Sequence, residues 1–140
     1  MKNKHIQYLV LLVFFTIGLD RGLGWLYETA YFSETSRKND RLIHSVLGTN
    51  EDILIFGSSR ALHHYNPEII EDSLGMTCYN VGSGGQNIYF HLALLESTLE
   101  RYTPEIVILE LMYIDFEVTP QQWDTEKLGT LLPFANQSIA

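Results

Sequence analysis

Asp52-Ile53-Leu54-Ile55-Phe56-Gly57-Ser58-Ser59-Arg60 is the stretch on which the fold turns. Four apolar residues in unbroken succession are too few for a buried helix and do not alternate with polar ones. They read as a strand covered on both faces, the pattern of a parallel sheet. Gly57 stops the strand and two serines follow. Outward from it, Cys78-Tyr79-Asn80-Val81 forms a second short strand ahead of Gly82-Ser83-Gly84-Gly85, and Ile106-Val107-Ile108-Leu109-Glu110-Leu111 forms a third.

The intervals between these strands read as helices. Asn66-Pro67 supplies an N-cap with proline at the first helical position, and Gly75 stops that helix. From Asn87 to Arg101 the residues Ile88, His91, Leu92, Leu95 and Leu99 recur at steps of three and four, an amphipathic helix broken by Pro104. Alternating strands and helices imply βαβ units. The expected fold is α/β, a three-layer flavodoxin-like parallel sheet. Three strands alone leave an edge and apolar faces uncovered, so the sheet is expected to be incomplete and the domain to continue past Ala140. A chain with no stable fold of its own is the lesser alternative.

Lys2 and Lys4 precede an apolar run from Ile6 to Leu19 interrupted only by Gln7, Thr16 and Gly18. No small-x-small cleavage site follows, and Trp25 and Tyr27 stand about 20 residues from the start of the run, the spacing of interfacial aromatics across ~30 Å of hydrocarbon. This is read as a signal anchor. The two lysines place the N-terminus in the cytoplasm and the remainder outside. Asp20 and Arg21 either snorkel to the interface or meet a membrane-protein partner. Residues 35 to 47 read as a membrane-proximal helix ended by Gly48.

Bulk properties narrow the functional classes. Apolar and aromatic residues make up 46% of the 140-residue chain and charged residues 19%, a composition that folds. A net charge of −8 excludes an unassisted nucleic-acid binder, which needs a basic face. Cys78 is the only cysteine, so no internal disulfide and no cysteine-based zinc site can form, and it reads as a small buried hydrophobe. No cofactor is implied.

In parallel sheets, ligands gather at the carboxyl ends of the strands. Those ends are Gly57 to Arg60, Gly82 to Gln86, and Met112 to Asp115. A serine directly after a buried strand, at the entry to a helix, sits exposed on a sharp turn beside free backbone N–H groups. That is the setting of a nucleophile, which also needs a base and oxyanion donors. The plain alternative is a serine-rich loop that merely caps the next helix. The glycine loop after the second strand offers the donors. It is not a dinucleotide fingerprint, because Asn87 takes the third glycine position, and no P-loop Gly-Lys-Ser/Thr occurs. Gly57 to Ala61 also approximates the Gly-x-Ser-x-Gly elbow of α/β-hydrolases, but that elbow follows several strands and this one the first.

The segment from Asp52 to Asp115 resembles the first half of the SGNH/GDSL hydrolase superfamily. A strand followed by Gly-Asp-Ser is matched by Ile53 to Ser59, with Ser58 in place of the aspartate. Asn-x-Gly-x-x-Gly is matched by Asn80-Val81-Gly82-Ser83-Gly84-Gly85. The Gly-Ser-Ser variant is similar to the membrane-anchored members that modify cell-envelope polymers. The resemblance implies an extracytoplasmic ester hydrolase or O-acyltransferase acting on an acylated carbohydrate or lipid. Ser59 would be its nucleophile, with the N–H groups of Ser59 and Gly85 lining the oxyanion hole. It divides the chain into an anchor and flank (1–30), a membrane-proximal helix (31–51) and the N-terminal part of a hydrolase-like domain (52–140).

Two features depart from the family. Ile114 stands where the third block has asparagine, and no Asp-x-x-His follows, so the catalytic histidine is expected beyond Ala140. The departures motivate the alternative of a catalytically inactive, membrane-anchored binding or assembly protein. Substrate binding is assigned to Arg60, Asn80, Gly82, Gln86, His63, His64 and Asp115. Arg60 is equally suited to pairing with Asp115 or Glu110. A metal held by His63, His64 and Asp115 is disfavoured because adjacent histidines point apart. His91, on an inner helix face, reads as a satisfied core histidine.

Overall fold

A computed structural model describes residues 2–33, 36–116 and 125–135. The chain forms two compact units, Met1–Ser36 and Arg37–Ala140.

The first unit is a single helix, α1 (Lys2–Ser33). Within it Lys4–Ser33 covers 30 residues, and an 18-residue stretch of it has a mean hydropathy of 1.7. At ~1.5 Å per residue this is long enough, and by composition apolar enough, to cross a membrane. The helix runs on past Asp20, Arg21 and the interfacial Trp25 and Tyr27 to Ser33, with no Gly or Pro after Gly24 to stop it. Its hydroxyls turn inward. Thr16 Oγ1 donates to the Leu12 carbonyl and Thr29 Oγ1 to that of Trp25, each at 2.8 Å, which suits surroundings without water. Asp20 and Arg21 lie 4.0 Å apart and both are exposed.

The second unit is built on β1 (Ile53–Phe56), β2 (Cys78–Asn80) and β3 (Ile106–Leu109), all parallel in the order β2-β1-β3. β1 is buried along its whole length, as its unbroken apolar run requires. Registers of Ile53 with Cys78 and Ile106, and of Ile55 with Asn80 and Ile108, set these side chains on one face. There they pack with Ala61, Tyr65, Ile70 and Met76 beneath α3 (Ser59–His64) and α4 (Pro67–Leu74). The caps of α4 are as the sequence indicates. Asn66 Oδ1 accepts from the Glu68 N–H, and Gly75 ends the helix at a left-handed φ of 68°.

Tyr79 alternates to the opposite face, where its ring meets His44 edge-on at 4.5 Å. That face carries α2 (Arg37–Ile43), a π-helical turn (His44–Gly48) and α5 (Ile88–Arg101). The expected membrane-proximal helix is thus a short α-helix passing into a π turn. Ser45 Oγ donates to the Arg41 carbonyl, and a Cβ on Gly48 would lie 2.6 Å from His44 Nδ1. Residues 37–51 also belong to the sheet-bearing unit rather than to a segment of their own. Their links are specific. Arg41 Nη2 donates to the Asn80 carbonyl (2.9 Å), Arg101 donates to Thr49 O and Oγ1 (2.7 and 2.6 Å), and Tyr102 Oη donates to the Glu51 carbonyl.

β3 departs from expectation. Its run reads as a buried strand, yet Ile106, Val107 and Leu109 are 39–46% exposed; among the described residues β3 pairs with β1 alone. Beyond it come two 3₁₀ segments, Tyr113–Phe116 and Thr125–Phe134. After Asp115 the sequence pattern suggests only loop or helix fragments, at Leu131–Phe134, which falls in the second 3₁₀ segment, and at Gln121–Trp123, which lies outside the described residues.

Because Arg101 fastens α5 to the chain entering β1, Arg101→Met is expected to lower unfolding free energy by about 1–3 kcal/mol, leaving Thr49 without its donors. Urea unfolding followed by tryptophan fluorescence and circular dichroism measures it.

Candidate active site

Only Gly57 and Ser58 separate β1 from α3, and this tightness shapes the site. Gly57 takes φ +143°, which residues with a side chain rarely adopt. A Cβ there would sit 2.8 Å from the Glu110 carbonyl oxygen and 2.8 Å from Ala61 Cβ. Its own carbonyl accepts from the Ser83 N–H at 3.0 Å, while Glu110 N–H donates to Phe56 O and Val81 N–H to Ile55 O. The exits of all three strands are drawn together at this glycine.

Ser59 opens α3 and is exposed. The glycine loop lies beside it: a Cβ on Gly84 would be 3.8 Å from Ser59 Cβ. Two of the loop's N–H groups are spent on architecture, Gly82 donating to Asn80 Oδ1 (2.9 Å) and Ser83 to Gly57. The N–H groups of Ser59, Gly84 and Gly85 take no part in these bonds. Gly85 holds a left-handed φ of 77° with open space around its Cα.

Asn80 and Gly82, expected to bind substrate, brace the loop. Asn80 is buried, and its Nδ2 donates to the carbonyls of Ala61 (2.7 Å) and Tyr65 (3.0 Å) while its Oδ1 holds Gly82. An asparagine directly ahead of a glycine loop is well made for this, since its short amide reaches backbone on both sides.

Of the partners open to Arg60, the structure forms the pair with Glu110. Arg60 Nε lies 3.0 Å from Glu110 Oε1, near enough for an ion pair though not aligned as a hydrogen bond. Glu110 is the buried member, its side chain 5% exposed against 53% for Arg60. His63 and His64 are both exposed at the end of α3. Asp115 closes the turn after β3, its Oδ2 accepting from the Met112 N–H at 2.7 Å. Among the described residues no group of His, Cys, Asp and Glu could hold a metal ion.

His91 sits in the core as expected, 4% exposed. It is not satisfied there, because neither ring nitrogen has a hydrogen-bond partner. Ser58 Oγ, Gln86 Oε1 and both carboxylate oxygens of Glu110 are likewise buried without hydrogen bonds. Each strand exit contributes one such group, and native interiors hold few. Burial pushes the His91 imidazole down to about 4, against a weaker opposing pull from Asp115. Cys78 is driven the other way, its thiol raised by burial and by Glu71, and so is held unreactive.

No protein-family model, no curated protein and no solved structure matches the chain significantly.

The His91 shift fixes a pH effect. Unfolded, the imidazole takes a proton near pH 6.5; folded, it stays neutral to about pH 4. Stability should therefore be full above pH 6.5, fall by up to about 3 kcal/mol between 6.5 and 4, and level off below. Urea unfolding of wild type and His91→Leu at pH 7.5 and 4.5 measures this, with the variant expected to lose less stability in acid.

Proposed function

We propose that the sheet-bearing unit is the N-terminal part of an SGNH/GDSL-type domain that cleaves or transfers an ester-linked acyl group through an acyl-enzyme at Ser59. The observation that carries this reading is the placement of an exposed serine on a two-residue strand-to-helix turn, against a glycine loop with uncommitted N–H groups. A carbonyl carbon attacked by Ser59 Oγ develops negative charge on its oxygen, and the Ser59, Gly84 and Gly85 N–H groups are the nearest candidates to receive it. The parallel order β2-β1-β3, the order of the first three strands in a flavodoxin-like sheet, supports reading the unit as part of such a three-layer fold. α1 is read as the anchor, with its lysine-bearing N-terminus in the cytoplasm and the catalytic unit outside.

No histidine among the described residues is bonded to Ser59. Of the five present, His5 belongs to α1, His44 pairs with Glu51, and His91 is buried and neutral. His63 and His64 follow Ser59 on the same short helix, where neither is bonded to it. The same lack of a bonded histidine favours the second reading, a membrane-anchored assembly protein that keeps the fold without the chemistry.

A fluorophosphonate probe applied to the protein in native membranes separates the two. The enzyme reading expects labelling in wild type and at least a hundredfold less in Ser59→Ala; equal labelling of both, or none in either, contradicts it and leaves the assembly reading.

A further inference from the structure

A cavity of ≈ 620 Å³ lies between α2, α3, α5 and the glycine loop. This is within the ~300–1,000 Å³ of sites that enclose small molecules. Its apolar walls are Leu42, Leu62, Val81, Phe90 and Leu94. Much of the polar lining is already engaged. Arg41 Nη2 donates to the carbonyls of Asn80 (2.9 Å) and Gly82 (3.4 Å), and Ser45 Oγ donates to the Arg41 carbonyl. His63, Ser83 and Thr130 also line it, and Gln86 is the member whose side-chain oxygen, Oε1, is fully buried without a donor.

Gly84 connects this space to the serine. It belongs to the cavity wall, and a Cβ on it would stand 3.8 Å from Ser59 Cβ and 3.9 Å from Leu62 Cδ2. A side chain at this position would rise between the nucleophile and the Leu62 wall. With glycine there, an acyl group whose carbonyl sits at Ser59 can run past residue 84 into the apolar space.

We propose that this cavity is the acyl-chain site, taking a fatty-acyl chain on a head that carries a hydroxyl or amide N–H for Gln86 Oε1. The choice of an acyl chain rests on the Ser59 reading; the apolar cavity and the buried, unpaired Gln86 Oε1 stand without it. An acetyl group would leave the walls uncovered. At roughly 30 Å³ per methylene-sized group, the share that a water takes in the liquid, a chain of about a dozen carbons fits with room for part of the head. Filling such walls removes apolar surface from water, so affinity should rise with chain length until the cavity is full.

The test uses the full chain in lipid nanodiscs and the N-methyl amide of decanoic acid bearing a terminal diazirine, which offers an N–H donor and cannot be hydrolysed as an ester. After irradiation, cross-links should map to peptides containing Leu62 or Phe90 to Leu94. Unmodified N-methyldecanamide should compete, and N-methylacetamide should not. Labelling should persist in Ser59→Ala and fall at least tenfold in Leu94→Trp, which fills the space. If Leu94→Trp does not fold, Gly84→Val, set in the loop, should give the same loss in a protein that melts normally. Cross-links confined to α1 or scattered over the surface, equal competition by the two-carbon amide, or full labelling in a folded cavity-filling variant would overturn the proposal. Because Ser59→Ala is expected to bind the probe, cavity labelling in a protein that fluorophosphonate leaves untouched would reject the catalytic reading alone.

Discussion

Everything at the site depends on one close approach, the backbone of Gly57 against that of Glu110. The end of β1 is held on one side by the Glu110 N–H on Phe56 and on the other by the Ser83 N–H on Gly57. Between these bonds there is no room for a side chain, and the φ of +143° would be strained in any residue but glycine. The constraint sets where α3 begins, and so where Ser59 stands. It also places the exit of β3 directly behind the serine turn, which brings the buried Glu110 carboxylate within reach of Arg60.

The elements that could be read from the sequence are those whose cause is local. β1 is legible because four successive apolar residues fit only a doubly covered strand, and α4 because Asn66, Pro67 and Gly75 each satisfy a terminus chemically. The Ser59 turn is legible for the same reason, since strand, glycine and serine are consecutive. The features that escaped reading depend on distant partners. Nothing near Arg41 shows that its guanidinium will clasp the end of β2, a partner 39 positions on. β3 carries the apolar run of a central strand, yet among the described residues it pairs with β1 alone. His91 looks like any core histidine, because spacing reveals burial but not whether a ring nitrogen finds a donor or acceptor.

The polar groups left without hydrogen bonds give the rim its character. Ser58 Oγ, Gln86 Oε1, the Glu110 carboxylate and the His91 ring are buried near the ends of three strands. Burying a neutral polar group without a hydrogen bond is costly, by about 1–3 kcal/mol each, while the Glu110 charge is offset by Arg60. On the proposed reading these groups belong to the ligand site at the strand ends.

On the proposed reading Ser59, and not its neighbour Ser58, forms the covalent intermediate. Ser58 Oγ is buried while Ser59 is exposed beside the glycine loop. The most direct measurement is rapid acid quench of the complete, membrane-embedded protein during turnover of an activated ester, followed by peptide mass spectrometry. The account requires the acyl mass on Ser59, accumulating in a burst; an acyl group on Ser58, or on no serine of this turn, would contradict it.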